Sequence, residues 1–239
     1  MTGYEIGYIV ASCLLVFAII LAIVAEVKVN NTFNKYSKIP SSIDMTGSEF
    51  AKMLIEKEGL GVNVQFCKGT LTDHYDPRNK TLNISQANFD SRSLAAQAIV
   101  AHEFGHALQH AKGYKPLFAR QGIIVFSNIM SRLIMPMIIL GIIVEACTLG
   151  KLRIGSFIIY FAVVLYGIAV ILNVVTLKVE YDASNRAKEV MVLMGAGDEG
   201  EKRAVSNLLN AAALTYVASM LVSIAYFLRL LFIFLSSRD

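Results

Sequence analysis

Long apolar runs alternate along this chain with shorter, patterned polar stretches. Four runs are long enough to cross a hydrocarbon core of about 30 Å, which takes about 20 helical residues. They cover 4–24, 122–147, 154–177 and 211–235. The third is the cleanest. The second contains Arg132, Pro136 and Glu145, and Arg229 interrupts the fourth. That arginine predicts a span ending near Phe227, with the guanidinium reaching out to the interface.

Between the first two runs the pattern shortens. Thr46-Gly-Ser-Glu49 has the form of a capping box and predicts a helix through Lys57, closed by Gly59. Val62, Val64 and Phe66 alternate with polar residues, Asp76-Pro-Arg-Asn79 forms a turn, and Thr81–Ser85 alternates again. This predicts a hairpin or a small sheet. A helix from Leu94 to Lys112 follows, with Asp90 or Ser91 as its N-cap and Gly113 as its stop. The glycine-rich, acidic segment 194–200 reads as a loop between helices. It lacks the Gly-Lys-Ser/Thr of a phosphate cradle.

Composition turns these runs into membrane spans. Of 239 residues 55% are hydrophobic, and the mean hydropathy is +0.56, which is unusual for a soluble chain of this length. The first run has no basic segment before it and carries Glu5, whereas Lys28, Lys35 and Lys38 follow it. That predicts a retained span with the N-terminus outside rather than a cleaved signal peptide. The connection 26–120 holds twelve Lys and Arg and 178–210 holds five, against two in 148–153 and one after Arg229. Both basic connections are therefore expected in the cytosol and both termini outside, in a bacterial inner (plasma) membrane. The net charge of +4 is explained by this orientation and by anionic lipids, without a nucleic acid. Cys13, Cys67 and Cys147 have no metal-type spacing and fit a reducing compartment without disulfides.

The chemistry sits in Ile99-Val-Ala-His102-Glu103-Phe-Gly-His106-Ala-Leu-Gln-His110. On a helix, positions four apart share a face, so His102 and His106 can bind one metal ion. Glu103 lies beside them, where it can act on a water as general base. The bland alternative is an amphipathic helix with two surface histidines and a salt-bridging glutamate. A catalytic zinc site needs a third protein ligand. His110 continues the row, but three ligands on consecutive turns span about 12 Å, too far for one ion with bonds of about 2 Å. Glu180, in the polar segment after the third span, is the better candidate, with Asp182 as the fallback. Two spans separate it from the histidines, so both segments reach the same side of the membrane. In Asp73-His74-Tyr75-Asp76, His74 and Tyr75 are candidates to stabilise an oxyanion, against a plain turn role.

Asp73-His-Tyr-Asp-Pro-Arg78, Ala101-His-Glu-Phe-Gly-His-Ala-Leu-Gln-His110, Val179-Glu-Tyr-Asp-Ala-Ser184 and Ala211-Ala-Ala-Leu-Thr-Tyr-Val217 occur in this order. Together they resemble the YugP-like family of bacterial membrane proteins, described as neutral zinc metallopeptidases. The resemblance runs along nearly the whole chain. It implies one zinc ion per chain on His102, His106 and Glu180, with Glu103 as the catalytic base, and it strengthens the case for His74 as a catalytic residue. The wider likeness is to membrane-bound gluzincin peptidases, which carry Glu-x-x-x-Asp. Here the last position is Ser184, and Asp182 is the expected substitute acceptor for a ligand histidine.

The expected fold class is therefore mainly α, a polytopic membrane protein forming a single domain over 1–239. It has about four transmembrane helices, a cytosolic zincin-like helix bearing His-Glu-x-x-His, and a small β-hairpin or sheet. The expected function is a membrane-embedded zinc endopeptidase with a cytosol-facing site, acting on peptides or proteins, membrane proteins included. An intramembrane protease fits less well, because Gln97, Gln109, His110 and Lys112 are too polar for a spanning site helix. The alternative from another class is an inactive zinc-binding membrane adaptor or complex component, closed by His110 or Asp182 as a fourth ligand. Retention of Glu103 counts against it. A transporter is weaker still, since no repeat or paired broken helix is visible. Substrate identity and oligomeric state are not written in the sequence.

Overall fold

The computed structural model describes residues 3–149, 153–196 and 198–236. The basic link between the second and third spans lies outside the described residues at 150–152. The element order is α1 (Gly3–Tyr36), α2 (Gly47–Lys57), β1 (Asn63–Cys67), β2 (His74–Asp76), β3 (Thr81–Ser85), α3 (Gln86–Phe89), α4 (Leu94–Ala111), α5 (Lys115–Cys147), α6 (Ile154–Leu193) and α7 (Glu199–Ser236). The class is mainly α, with one small sheet. Four helices, α1, α5, α6 and α7, are long and apolar enough to cross a membrane. Each extends beyond the apolar run that announces it. The chain separates into two compact units whose boundaries fall inside these long helices.

One unit takes in the chain through Val24, Ala119–Leu177 and the chain from Tyr216 onward. Its outward side chains are large and apolar, with Phe157 68% and Ile171 71% exposed. Water would make such a surface costly, whereas a hydrocarbon solvent matches it. Ile134, Tyr166 and Val170 form its interior cluster, packed by Ile138, Ile224 and Phe227. Glu145, unexpected inside a span, accepts a hydrogen bond from the Ser156 amide at 3.0 Å and so satisfies an open donor at the start of α6. Arg132 is exposed. α7 continues as helix past Phe227 to Ser236. Arg229 remains on the helix and donates to the Tyr8 hydroxyl at 3.1 Å, with its charge 5.4 Å from that ring.

The other unit comprises Ala25–Phe118 and Lys178–Thr215. α2 forms as its sequence dictates. Thr46 Oγ1 accepts from the Glu49 amide at 3.2 Å, and the Glu49 carboxylate accepts from the Thr46 amide at 2.8 Å. Those bonds hold the Glu49 carboxyl below its ordinary range. Gly59, at φ +63°, supplies the left-handed exit that follows. The sheet order is β1-β3-β2, with β1 parallel and β2 antiparallel to β3. α4 contributes Leu94, Val100 and Phe104 to one core, which they share with Phe50 of α2 and Leu82 and Ile84 of β3. The cap of α4 is Ser93, whose hydroxyl accepts from the Ala96 amide at 3.2 Å, rather than Asp90 or Ser91. The extra turn α3 displaces the start, and Ser91 instead hydrogen-bonds Ser93 Oγ at 2.9 Å. Gly113 is left-handed, at φ +64°, as a stop requires. Buried Gln97 donates to the carbonyls of Ile43 and Met45, binding the entry of α2 to α4.

Candidate metal centre

α4 brings His102 and His106 onto one face one turn apart, with ring centroids 4.9 Å apart and the rings edge to face. α6 brings Glu180 to the same point. Its Oε2 lies 3.2 Å from His102 Nε2 and 3.6 Å from His106 Nε2. Glu180 is 1% exposed, and the ligand atoms of the three residues lie within 4.8 Å of one another. Four-coordinate zinc with bonds of about 2.0–2.1 Å separates its ligand atoms by about 3.3 Å, close to these spacings.

Hydrogen bonding supplies a second test of fit. His106 Nδ1 lies 3.0 Å from Gln109 Oε1, an atom that only accepts. The Gln109 amide is oriented by its other end, which donates to Val179 O at 2.9 Å and to Asp182 Oδ2 at 2.8 Å. Nδ1 of His106 therefore carries the proton, and in the neutral ring Nε2 turns a lone pair toward the Glu180 carboxylate. His102 Nδ1 lies 3.2 Å from Ser184 Oγ, a hydroxyl that can donate or accept. Two imidazoles and one carboxylate converging this closely are a zinc-type donor set.

The close approach of the two ligand-bearing helices depends on a missing side chain. A Cβ at Gly105 would lie 2.7 Å from the carbonyl oxygen of Ala183, a backbone atom that cannot turn away. Ala183 is itself fully buried. Gly105→Val is expected to destabilise the metal-free protein by about 1–3 kcal/mol through overpacking. Thermal unfolding of the purified variant in detergent checks this, and an unchanged melting temperature would refute the close-packing account.

Glu103 lies on the same turn of α4. Its Oε2 accepts from the Tyr75 backbone amide of β2 at 2.9 Å. Burial pushes its carboxyl up to about 7, against the pull of nearby His102, while Glu180 and Asp73 push it further and the Tyr75 amide lowers it. A carboxyl poised near neutrality is suited to taking and returning a proton.

The other candidates divide. His110 stands apart from the three clustered groups. Its Nδ1 pairs with the Tyr75 hydroxyl at 2.7 Å, and its ring meets Phe118 edge-on at 5.3 Å. His74 is exposed, with Nδ1 2.9 Å from the carbonyl of Thr72 in its own turn. Asp73 accepts from the Ser85 amide at 2.8 Å and from Asn88 Nδ2 at 2.9 Å, which fixes the turn before β2. Asp182 does not reach a ligand histidine directly. It accepts from Arg186 Nε at 2.6 Å and from Gln109. Burial alone would raise its carboxyl, but these two bonds outweigh that and hold it below its ordinary value. Ser184 takes the place beside His102. Gln109 is the participant that the sequence reading treated only as a polar helix residue. Its signal was its spacing, three positions after His106 on the same helical face.

A model of the family described as "Putative neutral zinc metallopeptidase" matches residues 11–235. The chain is also similar to a Bacillus subtilis (strain 168) protein named "Putative membrane protease YugP". The two are 39% identical over 227 residues, covering 95% of this chain and 97% of the relative. No solved structure matches.

Proposed function

The chain belongs to the "Putative neutral zinc metallopeptidase" family, and on that premise we propose that it is a membrane-embedded, zinc-dependent endopeptidase of the His-Glu-x-x-His type. The observation that carries this reading is the convergence of His102, His106 and Glu180 with Glu103 beside them.

In this reading His102, His106 and Glu180 hold one zinc ion per chain. Zinc there would supply Lewis acidity, polarising the scissile carbonyl and making a water acidic near neutral pH. Glu103 accepts the proton of the attacking water and returns it to the leaving amine. The Tyr75 amide aims its carboxylate. β2 is an edge strand, paired with β3 alone among the described strands. The Tyr75 amide on β2 is taken by Glu103, so an extended substrate segment docks beside this edge, next to the base that Tyr75 holds, rather than pairing with that amide. His74, exposed on the same strand, is placed to meet such a segment, and its proposed role is to stabilise the oxyanion.

Charge asymmetry supports the orientation. The polar connections that carry the site hold most of the Lys and Arg, so the site faces the cytosol and both termini lie outside, in a bacterial inner (plasma) membrane. Peptides or proteins, membrane proteins included, are the substrates. The competing reading, an inactive zinc-binding adaptor, asks for a fourth protein ligand. Asp182 is engaged by Gln109 and Arg186, and His110 by Tyr75, so neither supplies one.

The test is cleavage of a panel of soluble and membrane-derived peptides by the purified, zinc-loaded protein, before and after chelation. Internal cleavage lost on chelation and restored by zinc is the expected result. Stoichiometric zinc without cleavage of any panel member would favour the adaptor.

A further inference from the structure

We infer that Gln109 is a positioning residue that presets His106 for the metal and ties the two ligand-bearing helices together. This rests on the zinc reading above. Gln109 is fully buried, and its amide has three partners on two helices. The site needs one acceptor and two donors at this point, which an amide supplies and neither a carboxylate nor an apolar side chain does. Oε1 takes the proton of His106 Nδ1, which selects the tautomer that leaves Nε2 open and prevents the ring from turning over. Nε2 holds the carbonyl of Val179, the residue immediately before the Glu180 ligand, so the same amide sets the height of α6 against α4. Its second hydrogen goes to Asp182, itself oriented by Arg186.

A carboxylate thereby acts on a ligand histidine through an intermediary. Asp182 acts on His106 through Gln109, while His102 has only the Ser184 hydroxyl, a partner that can donate or accept. The tautomer of His106 is thus the more firmly determined of the two.

The experiment measures zinc affinity by chelator competition on purified full-length protein, with the visible spectrum of the cobalt(II)-substituted form as the second readout. Gln109→Met keeps the volume and removes all three bonds. It should weaken zinc binding by about 10–100-fold, the range for residues that orient a ligand histidine. Gln109→Glu still accepts from His106 but sets a carboxylate against Asp182, and it should also bind weakly. Combining Gln109→Glu with Asp182→Asn exchanges acid and amide. That double variant relieves the clash with Asp182 but leaves Val179 O without its donor, so it should recover part, and not all, of the zinc affinity and cobalt spectrum lost in Gln109→Glu. A role in packing alone gives no reason for such rescue.

Wild-type affinity in Gln109→Met, or a double variant no better than Gln109→Glu alone, would overturn the inference. If Gln109→Met fails to fold, the comparison of Gln109→Glu with the double variant decides. A wild-type protein that binds no zinc would instead overturn the functional reading itself.

Discussion

Glu103→Gln is expected to lower kcat by about 10²–10⁴-fold, the range for a lost general base, while the protein keeps its full zinc content. The substitution preserves shape, and an amide oxygen still accepts from the Tyr75 backbone amide. What it removes is the ability to take a proton. Glu103 is not among the three clustered ligand groups, so metal content should not follow activity. Metal analysis and steady-state kinetics on the same preparation provide the check. Equal kcat in variant and wild type would exclude Glu103 as the base, and a loss of zinc in the variant would show that it helps to hold the metal.

Glu180→Gln should separate those two properties in the opposite way. The amide is a neutral and weaker ligand. It also removes the negative charge against which His102 and His106 are arrayed. Zinc affinity should fall by more than the roughly 100-fold upper end for supporting residues, because a ligand itself is altered. Activity should fall in step and recover in part at high zinc. Retention of wild-type affinity would mean that the third ligand lies elsewhere. Taken as a pair, the two variants distinguish a residue that works on the water from one that works on the metal.

The sequence made the local rules visible and left the long-range ones hidden. The capping box of Thr46 and Glu49 was legible because all its partners lie within four residues. His102 and His106 were legible because helical periodicity alone places them together. The place of Glu180 beside them was legible from topology, since two spans separate the segments and bring both to one side. The parallel pairing of β1 with β3 was not legible, since an alternating strand does not state the direction of its partner. The Ser93 cap was missed because Gln86–Phe89 forms an extra turn with no strong start signal, and Ser85 makes no side-chain cap there. Polar residues continue two of the helices beyond their apolar runs, as in α6 past Leu177 and in α7 before Ala211, and the loop expected at 194–200 falls where these two helices meet. The roles of Gly105, Ser184 and Gln109 arise only when α4 meets α6, so no window of the sequence contains them.

The wide separation of the ligands also orders events in time. His102 and Glu180 are 78 residues apart in the chain, with α5 and the apolar part of α6 made between them. At about 5–20 residues per second, roughly 4–16 s pass between synthesis of the first ligand and the last. During that interval the emerging chain has the histidines and the base but not the carboxylate. In the peptidase reading proposed above, the active centre stays incomplete until both intervening hydrophobic helices have left the ribosome. On that reading the order of synthesis itself shields the nascent chain and the insertion machinery from cleavage until the last ligand arrives.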